Sequence, residues 1–180
     1  MALFATLLIS HLIADFPLQA GWIYAWKMRS PLGLTLHAAL HAIVPLALFR
    51  APLMWWPAFY ALALVHYQID WAKINHPIRP QTRGFVLDQL SHAVSLIPFI
   101  FLIPQAEPVI PARVLALDLI LLMLPPLLLL GWTATWDMQE PRPDSRPHTI
   151  FTWVRRNALR ISQIFGMATV LLVAFQIWLN

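Results

Sequence analysis

Six stretches of this chain are apolar and long enough to cross a bilayer, roughly residues 2–25, 32–49, 53–72, 85–104, 113–133 and 160–179. A spanning helix needs about 20 mostly apolar residues. Backbone polar groups in hydrocarbon must also be satisfied within the segment, which leaves helices as the economical solution. The expected fold is therefore all-α: a polytopic membrane protein of about six transmembrane helices. Composition agrees, with 59% hydrophobic and 11% charged residues; soluble domains carry about a quarter charged residues. The chain reads as one transmembrane domain over 1–180. Within it, a four-helix core over 1–105 precedes two additional helices over 106–180, with a cytoplasmic loop at 134–158.

Proline and tryptophan refine the boundaries. Pro17 should end or kink the regular part of the first helix near Ile13, because it removes a backbone donor and clashes with the preceding turn. The following "LQAGWIYAWK" is then expected partly in the interface. Pro125-Pro126 predicts a kink in the fifth helix. Trp22, Trp26, Trp55, Trp56, Trp71, Trp132, Trp136, Trp153 and Trp178 all fall near segment ends, as in an interfacial belt. The first apolar run lacks a basic leader and a small-residue cleavage site, so it is not read as a cleaved signal peptide.

Lysine and arginine set the orientation. Lys27, Arg29, Lys73, Arg79, Arg83, Arg142, Arg146, Arg155, Arg156 and Arg160 fall on one side, and only Arg50 and Arg113 on the other. Basic loops stay inside, so both termini are expected outside the cytoplasm of a bacterial inner membrane. The formal charge of +4 is thus a topology signal, and no nucleic-acid partner is expected. Protein partners cannot be named from the sequence. There is no cysteine, which excludes disulfides and thiolate metal sites. With five glycines, no Gly-rich phosphate loop is expected.

Ionisable pairs four residues apart interrupt the apolar background. They are His11 and Asp15, His37 and His41, His66 and Asp70, and Asp88 and His92. Residues at i and i+4 share a helix face. In the expected topology all four pairs lie at one depth, toward the cytoplasm. The pattern H-x3-D-x21-H occurs at 11, 15 and 37 and again at 66, 70 and 92. It predicts that the first four helices form a bundle of two repeated hairpins, related by an axis along the membrane normal.

One intramembrane histidine is ordinarily a packing residue whose hydrogen bond contributes about 0.6–2 kcal/mol. Four pairs at one depth point instead to a buried site. Imidazole and carboxylate donors without sulfur suit Zn²⁺ foremost, or Fe²⁺ or Mn²⁺. Eight donors exceed the needs of one tetrahedral ion, so one or two ions are expected. Asp15 or Asp88, where not bound to metal, could serve as general base. Gln19, Gln89 and Arg83 could orient a ligand or substrate, and Lys73 could hold an anionic group. Asp70 and Asp88 could equally pair with Lys73 or Arg83. Ser10 and Ser91 adjoin histidines in sequence but do not face them, which disfavours a Ser/His hydrolase. His76 and His148 receive no role, and Asp118 lies on the far side and should pair locally.

The blocks "SHLIADFPLQ" with a later Lys, "LHAALH", "LVHYQIDWAK" and "TRGFVLDQLSH" resemble the signature of the bacterial membrane proteins grouped as domain of unknown function 3307, over roughly residues 5–100. The resemblance implies that His11, Asp15, Gln19, His37, His41, His66, Asp70, Lys73, Asp88, Gln89 and His92 act as one set. It supplies no substrate. A looser likeness is to small bacterial membrane proteins described as metal-dependent hydrolases.

The functional expectation is a membrane-embedded metal-dependent hydrolase acting on a lipid-like or anionic substrate. The same residues leave two alternatives open: a divalent-metal or proton-coupled transporter, and a non-catalytic membrane subunit with a structural metal site.

Overall fold

The computed structural model of the chain describes residues 1–139 and 149–179. Among these the fold is all-α, with no strand element. Eight helices follow in order: α1 Ala2–Asp15, α2 Gly21–Lys27, α3 Pro31–Leu48, α4 Trp56–Asn75, α5 Gln81–Ser95, α6 Ile97–Leu102, α7 Ala112–Gln139 and α8 Thr149–Trp178. A 3-10 turn, Pro52–Met54, links α3 to α4.

Helix α1 is the central element. Nine of its fourteen residues are buried, and it packs on α3, α6 and α7. It stops at Asp15, two residues later than Ile13 and well short of the expected residue 25. A proline at 17 cannot donate to the turn before it. The chain resumes as the separate short helix α2, which packs on α3. Ser30 starts α3, accepting a hydrogen bond from the Leu32 amide at 3.2 Å, with Pro31 in the first turn; both are favoured helix starts.

The helix expected over 85–104 is instead two, α5 and α6, broken at Leu96 just before Ile97-Pro98. Helix α7 remains helical across Pro125-Pro126. It also runs past the expected span to Gln139, while α8 begins at Thr149. Most of the expected 134–158 loop is therefore helical. Arg142, Arg146 and His148 lie outside the described residues.

Helix α5 begins without a side-chain cap of its own. Asp137, from the far end of α7, supplies one: its carboxylate oxygens accept from the Gln81 amide at 2.8 Å and the Thr82 amide at 2.7 Å. At the opposite end of the fold, Arg50 donates its amide to the Glu107 carbonyl and Val109 to that of Leu48. These bonds tie the end of α3 to the connection between α6 and α7.

Among the described residues, four helical stretches are long and apolar enough to cross a membrane: Pro31–Leu48, Gln81–Leu102, Ala112–Met138 and Arg160–Trp178. Helix α1, at fourteen residues, spans only about 21 Å at 1.5 Å per residue. The side-chain distribution is that of a surface facing lipid. In α5 the fully buried residues are Asp88 and His92, whereas Val86, Leu87, Leu90 and Val94 point outward. Ile120, Leu171 and Phe175 are likewise exposed on α7 and α8.

Candidate functional site

The four i, i+4 pairs converge. Each face is set by helical periodicity: α1 presents His11 and Asp15, α3 His37 and His41, α4 His66 and Asp70, and α5 Asp88 and His92. All eight are buried, none more than 7% exposed. The imidazole rings crowd together, with His41 and His66 stacked at 3.4 Å between centroids and His66 and His92 at 4.1 Å. His11 lies 4.9 Å from His92 and 5.2 Å from His41.

The five histidines of the cluster all turn the same nitrogen, Nε2, inward. Around Asp15 Oδ1 stand the Nε2 atoms of His37 at 3.1 Å, His41 at 3.3 Å and His66 at 3.5 Å. His11 Nε2 is 3.5 Å from Asp15 Oδ2. Asp70 Oδ2 is 3.3 Å from His37 and 3.2 Å from His66. His92 Nε2 is 3.5 Å from Asp88 Oδ1 and 3.9 Å from Asp70 Oδ1. Nitrogen even faces nitrogen, His66 Nε2 to His37 Nε2 at 3.1 Å.

Much of this proximity is not hydrogen bonding. The Nε2 atoms of His11, His41 and His92, and the Oδ1 atoms of Asp15 and Asp88, have no hydrogen-bond partner although fully buried. Buried polar groups ordinarily have one. Three sets of donor atoms lie mutually within 4.8 Å: His11, Asp15, His41 and His66; His37, His66 and Asp70; and Asp70, Asp88 and His92. His66 and Asp70 each belong to two of them.

Two lysines close the carboxylate side. Lys27 donates to Asp70 Oδ2 at 2.9 Å, with both side chains buried. Lys73 donates to Asp88 Oδ2 at 2.5 Å and is itself 45% exposed. Lys73 takes Asp88 Oδ2 and leaves Oδ1 facing His92, whereas Lys27 shares Asp70 Oδ2 with His37 and His66 and leaves Oδ1 facing His92. Beside Lys73, a groove of about 320 Å³ opens between α4 and α5. Lys73, His76, Gly84, Leu87, Asp88 and Ser91 are among its lining residues.

The family model described as Protein of unknown function (DUF3307) matches residues 3–121. The chain belongs to that family. The match contains all eight His and Asp residues of the cluster and both lysines. It reaches beyond residue 100 into the first third of α7. Comparisons with curated proteins and with solved structures found no match.

The remaining family residues divide. Gln89 Nε2 donates to Asp88 Oδ2 at 3.2 Å. Gln19 instead bonds the Asp15 backbone carbonyl at 2.6 Å, so it braces the end of α1 and does not meet the carboxylate. Arg83 is exposed and makes none of the cluster's ion pairs. Lys73, expected to hold a substrate anion, already holds Asp88. Asp118 is remote from the cluster, buried in α7, and accepts from Gln176 Nε2 of α8 at 3.2 Å. Sequence reasoning used Lys27 only as a topology marker. The signal for its role is the lysine that follows the "SHLIADFPLQ" block in the family pattern.

Proposed function

We propose that this protein is a membrane-embedded hydrolase that uses one or two divalent transition-metal ions, zinc foremost with iron or manganese as alternatives. The carrying observation is the convergence of buried Nε2 and Oδ atoms at 3.1–3.5 Å, among which His11 Nε2, His41 Nε2 and Asp15 Oδ1 have no hydrogen-bond partner. Tetrahedral donors about 2.1 Å from a shared ion stand about 3.4 Å apart. That spacing is awkward for imidazoles packed against each other and natural for imidazoles sharing a cation. The charge balance agrees: three buried aspartates face two lysines.

A bound ion would lower the pKa of a coordinated water to near 7 and polarise a phosphoryl or acyl oxygen. The chain's residues supply the rest. Lys27 and Lys73 fix the carboxylates of Asp70 and Asp88 in orientation. Asp88, at the groove, could accept a proton from an attacking water through Oδ1 where that oxygen is not bound to metal. Asp15 is enclosed by histidines and acts as a ligand. The groove between α4 and α5 reaches Asp88 and is lined by both apolar side chains and Lys73, which suits a lipid-like or anionic substrate.

In the membrane we place six crossings, formed by α1 with α2, α3, α4, α5 with α6, α7 and α8, in a bacterial inner membrane. The first four build the two hairpins of the repeated H-x3-D-x21-H pattern. The basic loops put the cluster toward the cytoplasm and both termini outside.

The test is metal analysis of detergent-purified protein, followed by hydrolysis of phospholipid and of soluble phosphate and acyl esters. Expected are a copurifying transition metal, activity abolished by chelation, and a decrease of about 100-fold or more in Asp88→Asn. Absence of bound metal, with His11→Ala and His66→Ala as well folded as the unmodified protein, would sink the reading.

A further inference from the structure

The eight donors are not equivalent, and the difference lies in access. His11, Asp15, His41 and His66 come from α1, α3 and α4, form a four-donor set, and none of them lines the groove. Asp70, Asp88 and His92 form a three-donor set on α4 and α5, and Asp88 lines the groove. The two sets meet at the turn of α4 between His66 and Asp70. Asp70 is oriented for both: its Oδ2 faces His37, His66 and Lys27, and its Oδ1 faces His92. Each set has unpartnered buried atoms aimed into it, His41 Nε2 and Asp15 Oδ1 in the first, His92 Nε2 and Asp88 Oδ1 in the second.

Resting on the metal reading above, we propose that the cluster is two metal centres of unequal access. The first, of His11, Asp15, His41 and His66, is closed and holds its ion structurally. The second, of Asp70, Asp88 and His92, is open toward the groove and is where solvent and substrate reach metal. Four protein ligands are the mark of structural sites, and three with a free position the mark of catalytic ones. His37, between Asp15 and Asp70, separates the two. The arrangement predicts different exchange rates, because only the open centre communicates with solvent through the groove.

The experiment counts ions in the full-length protein purified in detergent, by elemental analysis, before and after timed exposure to a soluble chelator. Expected are two ions per chain, one lost at least tenfold faster than the other. Asp88→Asn and His92→Gln should each retain only the slowly lost ion. His41→Ala should retain only the fast one; if that variant fails to fold, the rates in the unmodified protein and the two open-centre variants decide. Two ions leaving together, or Asp88→Asn losing both, overturns the proposal in favour of one coupled cluster. A single ion per chain also overturns it, and leaves the metal reading standing. No ion at all overturns both.

Discussion

Replacing Lys27 with methionine tests how the carboxylates are held. The Lys27 ammonium lies 2.9 Å from Asp70 Oδ2, with the two side chains 6% and 2% exposed. At an effective dielectric of about 20, unit charges at that distance attract by about 6 kcal/mol. Methionine fills the same space without the charge and leaves Asp70 buried and uncompensated. Removing one partner of a buried pair costs about 3–5 kcal/mol, and that is the loss expected for the metal-stripped protein. Lys73→Met is the internal control. That pair has a half-exposed lysine at the groove, where water can partly replace the ammonium, so the loss should be smaller than for Lys27 although Asp88 is itself buried. Both variants are compared with the parent by unfolding in mixed micelles of increasing SDS fraction, followed by tryptophan fluorescence. Adding the metal should shrink the Lys27→Met penalty, because a cation beside Asp70 does part of the lysine's work. Equal losses in the two variants without metal would refute the reasoning, since burial would then not distinguish the pairs.

Three further outcomes follow from the packing. In Gly33→Ala the new methyl would lie 2.5 Å from the Trp26 carbonyl carbon and 2.6 Å from its oxygen, so α2 must move away from α3 at a cost of about 1–3 kcal/mol; Gly21→Ala, with nothing within 4 Å, should show no such loss in the same titration. Asp137→Ala strands the Gln81 and Thr82 amides and should destabilise by about 0.5–2 kcal/mol, with faster hydrogen exchange at those two amides; Asp137→Asn, with a single acceptor oxygen, should protect only one of them. Asp118→Ala removes the bond to Gln176 between α7 and α8 and should cost about 0.6–1.7 kcal/mol without changing the metal count, which separates it from every variant in the cluster.

The site was more legible than the helix ends. A four-residue spacing places two side chains on one face whatever the surroundings, so the pairs on α1, α3, α4 and α5 could be named from sequence alone. Their meeting point needed only the alternation of direction between successive helices. The break at Leu96 was missed because the run around Pro98 is uniformly apolar, and apolarity does not reveal where a proline interrupts. Lys27 was missed for a different reason. A lysine near a membrane boundary ordinarily snorkels outward, and only tertiary structure shows that α2 folds back. Gly33, fifty-five residues before Asp88 in the repeat, lets Trp26 approach α3 closely and so delivers the next residue, Lys27, to Asp70. Asp137 capping α5 across the fold was equally invisible, because its partners lie 55 and 56 residues away.

The polar inner face of α5 has a consequence for biogenesis. As a lone segment leaving the insertion machinery, α5 would offer Asp88 and His92 to lipid. An aspartate at the centre of an isolated inserting helix is opposed by about 2.5–3.5 kcal/mol. Asp15 on α1 and Asp70 on α4 carry a like but smaller cost nearer their helix ends, and these three helices bring their rings together across chain distances of up to 81 residues, from His11 to His92. No pair of neighbouring helices assembles the whole cluster, because His11 and Asp15 meet His66 and His92 only once α4 and α5 are present. The N-terminal segments should therefore linger beside the insertase until α5 emerges, and a chain truncated before Ser95 should be recognised as incomplete and degraded.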